Sequence, residues 1–271
     1  MTQKPLSLSI IIPAYNEEKV IGKTLSLLVH SLNNSVYPFE ILVIADGCTD
    51  LTVKKAEAVH NAHIRVLSYA KNHGKGYAIK YGIRHAKGDV ITFYDAGGDF
   101  DPSHIDRFVK LLEVFDADIV IGSKRHPASV VNYPFRRRVF SWIYHRTVNL
   151  LFGLHVSDTQ TGLKVIKRTV AEKIFPRLVV KQYAFDLEML VVAKTLGFRR
   201  IFEAPVHLQF NGATSGINWK TIRKMLQDTA AIFYRLYILQ YYHRPQRYHE
   251  QKNAIHQKEM AHSTRKLKQH A

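Results

Sequence analysis

The chain has 271 residues, a formal net charge of +17 and one cysteine, Cys48. A single cysteine excludes an intrachain disulfide and points to a reducing compartment. The positive excess points to anionic partners (nucleic acid, an anionic membrane or phosphorylated small molecules) and says nothing of the fold.

Met1 to Ser9 has no signal-peptide pattern, since Lys4 is its only charge and no long apolar core follows. Leu8 to Ile12 is a short apolar run ended by Pro13, which predicts a buried strand. Glu17 to Leu32 has helical spacing, and Phe39 to Ala45 is a second buried strand. Thr49 and Asp50 open a helix that either side chain could cap. Further strands fall at His63 to Ser68, Asp89 to Tyr94 and Ala117 to Gly122, with helices over Lys75 to Ala86 and Pro102 to Phe115. This alternation predicts an α/β fold with a mostly parallel central sheet and helices on both faces. The ligand site is then expected at the carboxyl ends of the strands.

In the second half, Tyr133 to Leu154, Phe185 to Leu196 and Asn218 to Tyr242 read as helices and Arg200 to Pro205 as a strand. Leu226 to Tyr242 is the most membrane-like window, but Asp228 and Arg235 interrupt it and it is too short to span. From His243 the chain turns polar, basic and His-rich, so residues 244–271 are expected to be disordered.

Three strand ends gather the polar chemistry. Pro13-Ala14-Tyr15-Asn16-Glu17-Glu18 follows the first strand, and Asp46-Gly47-Cys48-Thr49-Asp50 follows the second. Carboxylates placed there can accept hydrogen bonds from a base N–H or a ribose hydroxyl, although Asp-Gly and Asn-Glu also make ordinary turns and caps. A later strand delivers Asp95-Ala96-Gly97-Gly98-Asp99-Phe100-Asp101-Pro102. Several carboxylates in one short loop suit a hard divalent cation bridging a diphosphate. The plainer alternative is an acidic, Gly-rich cap on the helix that begins at Pro102.

In their order these segments resemble the family 2 glycosyltransferases with the GT-A fold, and among them the polyprenyl-phosphate sugar synthases related to dolichyl-phosphate mannose synthase. Pro13 to Glu18 matches the opening motif of that family. Asp46 to Asp50 is similar to its Asp-Asp-Gly-Ser-Thr-Asp, with Ala45 replacing the first Asp. Asn72-His73-Gly74-Lys75-Gly76 and Ala86-Lys87-Gly88-Asp89 resemble Asn-x-Gly-Lys-Gly and Ala-x-Gly-Asp. Ile121 to Arg125, Ser157 to Gly162 and Phe185 to Glu188 match later landmarks, so the resemblance covers about residues 7–210. The family's metal motif is Asp-x-Asp, and Gly97 stands where its second Asp belongs. Asp95 and Asp99 keep the outer positions, and Asp99 is a stronger ligand for a hard cation than the Gln often found there.

The resemblance implies a GT-A nucleotide-diphospho-sugar transferase fold and an inverting transfer of a sugar from a nucleoside diphosphate to a polyprenyl phosphate. It implies a donor site of Pro13, Tyr15, Glu17, Asp46, Lys75, Asp95 and Ala96. Asp95 and Asp99 would hold Mg²⁺ or Mn²⁺, and Lys124, Arg125, Arg137 and Ser141 would meet the acceptor phosphate. Asp95, Asp99, Asp186 and Glu188 are the catalytic candidates, the last two as a base should the acceptor be a hydroxyl. Two alternatives stand beside this: a family 2 transferase acting on a sugar or lipid hydroxyl, and a non-catalytic nucleotide-sugar-binding protein. Nucleic acid is not an expected partner, since no aromatic-basic binding motif is present. The expected domains are a transferase domain over 1–217, an amphipathic membrane-surface helix over 218–243 and the tail. The expected location is the cytoplasmic face of an anionic membrane.

Overall fold

The computed structural model describes residues 5–130, 135–182, 184–208 and 219–251. Its strands are β1 (Leu8–Ala14), β2 (Phe39–Asp46), β3 (Ile64–Tyr69), β4 (Val90–Phe93), β5 (Ile119–Ser123), β6 (Lys164–Lys167) and β7 (Ile201–Pro205). They form one sheet in the order β3-β2-β1-β4-β6-β5-β7. The helices are α1 (Ile21–Leu32), α2 (Thr52–Glu57), α3 (Lys75–His85), α4 (His104–Val114), α5 (Phe135–Phe152), α6 (Arg168–Ile174), α7 (Phe185–Thr195) and α8 (Trp219–Phe233).

The central strands β1, β2 and β4 are largely apolar runs because both faces of the sheet are covered there. In β1, Ile11 joins one core while Ile10 and Ile12 join the other. β2 divides in the same way, with Leu42 and Ile44 on one side and Ile41 and Val43 on the other. Pairings β1–β2, β2–β3, β1–β4 and β5–β7 are parallel, so the loops after β1, β2 and β4 emerge at one edge.

β6 is absent from the sequence-based expectation. It has four residues with a lysine at each end, too short for a periodic signal. It runs antiparallel between β4 and β5 and sets Lys164 opposite Phe93, two residues before Asp95. Reversing one strand thus brings the Ser157–Gly162 segment to the edge where the loops after β1, β2 and β4 emerge.

The C-terminal segment departs from a single helix over Asn218 to Tyr242. α8 ends at Phe233, a π turn follows over Tyr234–Ile238, and a 3-10 turn covers Tyr241–His243. Of the tail expected from residue 244, residues 244–251 are described, and 246–251 are helical. There His249 is buried, and its ring packs 4.7 Å from that of Tyr241. The rest of the tail, 252–271, lies outside the described residues, as does residue 218.

Candidate active site

The first two loops are sewn to each other. The Asn16 amide oxygen accepts from the Thr49 N–H at 2.9 Å, the Glu17 N–H donates to Thr52 Oγ1 at 2.7 Å, and the Glu18 N–H donates to Asp50 at 3.1 Å. Turn chemistry therefore accounts for Asn16, Thr49 and Asp50. β1 runs one residue past Pro13, which stays in register with Ile44, and Tyr15 just beyond the strand is 49% exposed. The Glu17 carboxyl is half-buried, and burial first, then Asp95, Asp50 and Asp99, raise its pKa.

Asp46 ends β2 nearly buried, and its two oxygens accept the backbone N–H groups of His73 and Gly74, each at 2.8 Å. Gly47 has φ +65°, and a Cβ there would strike the backbone of Asn72. Asp46 thus fixes the loop that delivers Lys75.

The third loop turns back at once, with the Gly98 N–H donating to the Asp95 carbonyl at 3.2 Å and Thr24 Oγ1 donating to the carbonyl of buried Ala96 at 2.9 Å. Asp99 is exposed, whereas Asp101 accepts from the Ser103 N–H at 2.9 Å and caps α4. Asp95 heads a line of alternating charge. Lys75 Nζ lies 2.9 Å from Asp95 and 3.7 Å from Asp186, and the fully buried Lys164 Nζ lies 2.8 Å from the other Asp186 oxygen. Lys164 also donates to the Thr161 carbonyl. Burial opposes the Lys75 ammonium, but Asp186 and Asp95 outweigh it and hold its pKa above the usual lysine value. Burial likewise opposes ionisation of Asp186, and Lys164 and Lys75 overcome it, so its pKa is lowered. Gly162 lies directly against Asp95, where any Cβ would overlap the carboxylate.

Glu188 is not brought to this line. Two residues along a helix turn the side chain through about 200°, so it leaves the opposite face of α7 from Asp186. Fully buried, it accepts the Val179 and Val180 N–H groups at 2.8 and 2.7 Å and the Tyr242 hydroxyl at 2.6 Å. Arg235 adds an ion pair at 3.6 Å. Burial raises the Glu188 pKa in spite of these donors.

On the other flank, Lys124 and Arg125 follow β5. The Lys124 N–H donates to Asp158 at 3.1 Å, and its ammonium lies 3.8 Å from the same oxygen. Burial lowers the Arg125 pKa, while Asp158 and Glu203 act to raise it. Arg137 and Ser141 fall on α5, but their side chains lie outside the described residues. Among the described residues no three His, Cys, Asp or Glu side chains meet as a ready metal cage. The sequence reading missed Lys164 and Glu203, and it placed Gly162 in a motif without giving it a role. A lysine inside the apolar run Leu163-Lys164-Val165-Ile166 was the available signal for the first.

A sequence profile of glycosyl transferase family 2 matches residues 9–175. The chain belongs to that family. A dolichyl-phosphate beta-glucosyltransferase of Drosophila melanogaster is 34% identical over 207 residues, which are 70% of this chain and 64% of that protein. The chain thus spans just under two thirds of that relative's length. A dolichyl-phosphate beta-glucosyltransferase of Trichomonas vaginalis is 32% identical over 246 residues, 84% of this chain and 74% of its own. Among solved structures, glucosyl-3-phosphoglycerate synthase of Mycobacterium tuberculosis, in complex with Mn²⁺, UDP-glucose and phosphoglyceric acid, gives a TM-score of 0.66 at 19% identity. It covers 89% of this chain and 81% of its own, and at that identity the likeness concerns the fold alone, which is GT-A.

Proposed function

We propose that this family 2 member transfers a sugar, glucose by the names of its relatives, from a nucleoside diphosphate to a polyprenyl phosphate with inversion. The observation that supports it best is the state of Asp186. Its oxygens face two ammonium groups and its pKa is lowered, which makes it a poor proton acceptor. A hydroxyl acceptor needs a base. A phosphate monoester, with a second pKa of about 6, is already largely an oxyanion at neutral pH. One of its oxygens bonds to the anomeric carbon from the face opposite the donor, and the bond to the nucleoside diphosphate breaks with its electron pair leaving on the β-phosphate. The protein then has to position the two anions and offset the charge of the leaving group.

Pro13, Tyr15, Glu17 and Asp46 are the proposed contacts to the nucleoside, with Ala96 beside the diphosphate. Lys75 offers a positive charge at the leaving phosphate. The donor set suits a hard cation: Asp95 is partly exposed, Asp99 is exposed, and Glu17 senses both as repelling charges. Mg²⁺ or Mn²⁺ on Asp95 and Asp99 would neutralise charge on the diphosphate. Lys124, Arg125, Arg137 and Ser141 are the proposed acceptor contacts, the last two being one helical turn apart.

The acceptor chain stays in a bilayer, so the proposal includes docking on an anionic surface at its cytoplasmic face. No helix among the described residues is long and apolar enough to cross a membrane. α5 and α8 are joined by Tyr144 and Thr229 at 3.1 Å, and the Tyr237 hydroxyl donates to the Leu151 carbonyl at 2.9 Å. This unit exposes Trp142, Ile143, Leu150, Tyr234 and Ile238, and the Arg146 guanidinium lies over the Trp142 ring at 5.3 Å. Aromatic and basic groups together suit the headgroup boundary, with each cation adding about 1 kcal/mol on an anionic surface.

The test is transfer from radiolabelled UDP-glucose or GDP-mannose to farnesyl phosphate, with Mn²⁺ or with excess chelator. A prenyl-phosphate-linked sugar is expected, lost with Asp95→Ala and with chelator. Transfer to a hydroxyl acceptor in place of the phosphate overturns the reading of the acceptor, and full turnover in chelator removes the metal. Flotation with phosphatidylserine vesicles checks the docking, which is expected to weaken at high salt.

A further inference from the structure

Glu203 lies on β7, outside every motif discussed above. One of its carboxylate oxygens, Oε1, accepts three donors from two consecutive residues: the Ser157 N–H at 2.9 Å, the Ser157 hydroxyl at 2.6 Å and the Asp158 N–H at 3.1 Å. Asp158 spends its own oxygens on the next layer, accepting the Gln160 N–H at 3.1 Å on Oδ1 and the Lys124 N–H at 3.1 Å on Oδ2. The Lys124 ammonium stands 3.8 Å from that same Oδ2. A further tie, between the Ser123 and Ser157 hydroxyls at 3.0 Å, links the end of β5 to the same loop. Lys124 is thus held through its backbone and its side chain by a residue whose own backbone hangs on Glu203.

We infer that Glu203 is a positioning residue for the acceptor phosphate: it fixes the Ser157–Asp158 loop, and through Asp158 it aims Lys124 and sets the charge behind Arg125. The inference rests on the proposed acceptor site. Charge-assisted hydrogen bonds to a carboxylate are short and about twice as strong as neutral ones, so one such oxygen can gather three donors. Two effects oppose when Glu203 becomes Gln. Removing a negative charge near Lys124 and Arg125 favours an incoming phosphate. Weakening three bonds releases the loop that aims the lysine, and a misplaced cation loses most of its value. The second effect wins because Glu203 holds the loop directly, through three hydrogen bonds of 2.6–3.1 Å gathered on one oxygen.

The experiment titrates farnesyl phosphate onto the UDP-loaded full chain, read by ³¹P NMR, for wild type, Glu203→Gln, Ser157→Ala, Lys124→Ala and the Glu203→Gln/Lys124→Ala double variant. Glu203→Gln is expected to weaken farnesyl phosphate binding about tenfold, with UDP affinity unchanged, and Ser157→Ala about threefold. The double variant is expected to bind no more weakly than Lys124→Ala alone, since a positioning residue loses its effect when the residue it positions is gone. A purely structural role gives additive losses and a parallel fall in UDP affinity, and either result overturns the inference. Unchanged or tighter phosphate binding in Glu203→Gln, with Lys124→Ala still weakened, overturns it while leaving the acceptor site intact. If Lys124→Ala binds as wild type does, or wild type does not bind farnesyl phosphate, the acceptor reading falls and this inference with it.

Discussion

The proposed donor and acceptor flanks of the site are held by different forces. On the donor flank, backbone N–H groups donate to side-chain oxygens: Thr49 to Asn16, Glu17 to Thr52, Glu18 to Asp50, and His73 and Gly74 to Asp46. On the proposed acceptor flank and at the base of the site, charge holds charge, Lys164 with Asp186 and Lys124 with Asp158, while the Glu203 carboxylate gathers the Ser157 and Asp158 donors behind that second pair. The first kind of tie spreads the load over many bonds, each contributing about 1 kcal/mol. The second concentrates it, because deleting one partner strands a buried charge. The donor flank is therefore expected to tolerate single changes that the buried charges do not.

Asp186→Asn is the most severe test of that contrast. It leaves Lys164 buried beside a neutral amide and is expected to lower stability by about 3–5 kcal/mol in urea unfolding. The Asp186 pKa is lowered, so its stabilisation is present above its ordinary value of 3.8 and is lost as pH falls through the lowered one. The wild-type advantage over Asp186→Asn should therefore shrink under strong acid, which acid titration of unfolding checks. An undiminished advantage at low pH would mean that packing, and not charge, holds the base of the site.

Gly162→Ala probes where the flanks touch. The added methyl overlaps Asp95, so the carboxylate must move while the sheet stays intact. A shift of this kind is expected to lower kcat about 100-fold, equivalent to about 2.7 kcal/mol of barrier, with Tm little changed. Steady-state kinetics beside a melting curve separate the two.

Glu188→Gln sharpens the contrast within α7. Tyr242, Val179, Val180 and Arg235 surround Glu188, so its loss should cost about 1–2 kcal/mol and leave transfer intact. Its pKa is raised from 4.5, so its contribution is full below that value and is lost as pH rises through the raised one. The gap to wild type should narrow with rising pH, opposite in sign to Asp186→Asn. Loss of kcat without loss of stability would return Glu188 to the catalytic residues.

The smallest effect is expected at Gly97. A Cβ there meets only the Asp99 carboxylate, at 3.9 Å, so Gly97→Asp should fold with a stability change within about 0.5 kcal/mol. A third carboxylate beside Asp95 and Asp99 should tighten Mn²⁺ binding, read directly by electron paramagnetic resonance. Unchanged Mn²⁺ affinity would argue against this loop as the metal seat.

Local pattern was enough to place the strands and loops of the proposed donor flank. β1, β2 and β4 are buried on both faces and read as plain apolar runs, and Pro13, Asp46 and Asp95 sit within the few residues that follow each run. Strand, turn and proposed ligand are there neighbours in sequence, so the ordered motifs that carry the family resemblance are legible without the fold. The acceptor flank depends on residues far apart in the chain. β6 is four residues long and gains its place from pairing with β4 and β5, and only that pairing puts Lys164 beneath Asp186. Glu203 looks like any strand-end acid until the fold brings Ser157 and Asp158 to it. Asp186 and Glu188 share a motif, yet one meets two ammonium groups and the other backbone amides and a tyrosine. Likewise residues 246–251, polar by composition, are helical where Tyr241, Tyr242 and His249 are buried and the Tyr241 ring packs on that of His249. A carboxylate's role follows from the charges and donors that surround it, and for these residues the surroundings come from chain segments tens of residues away.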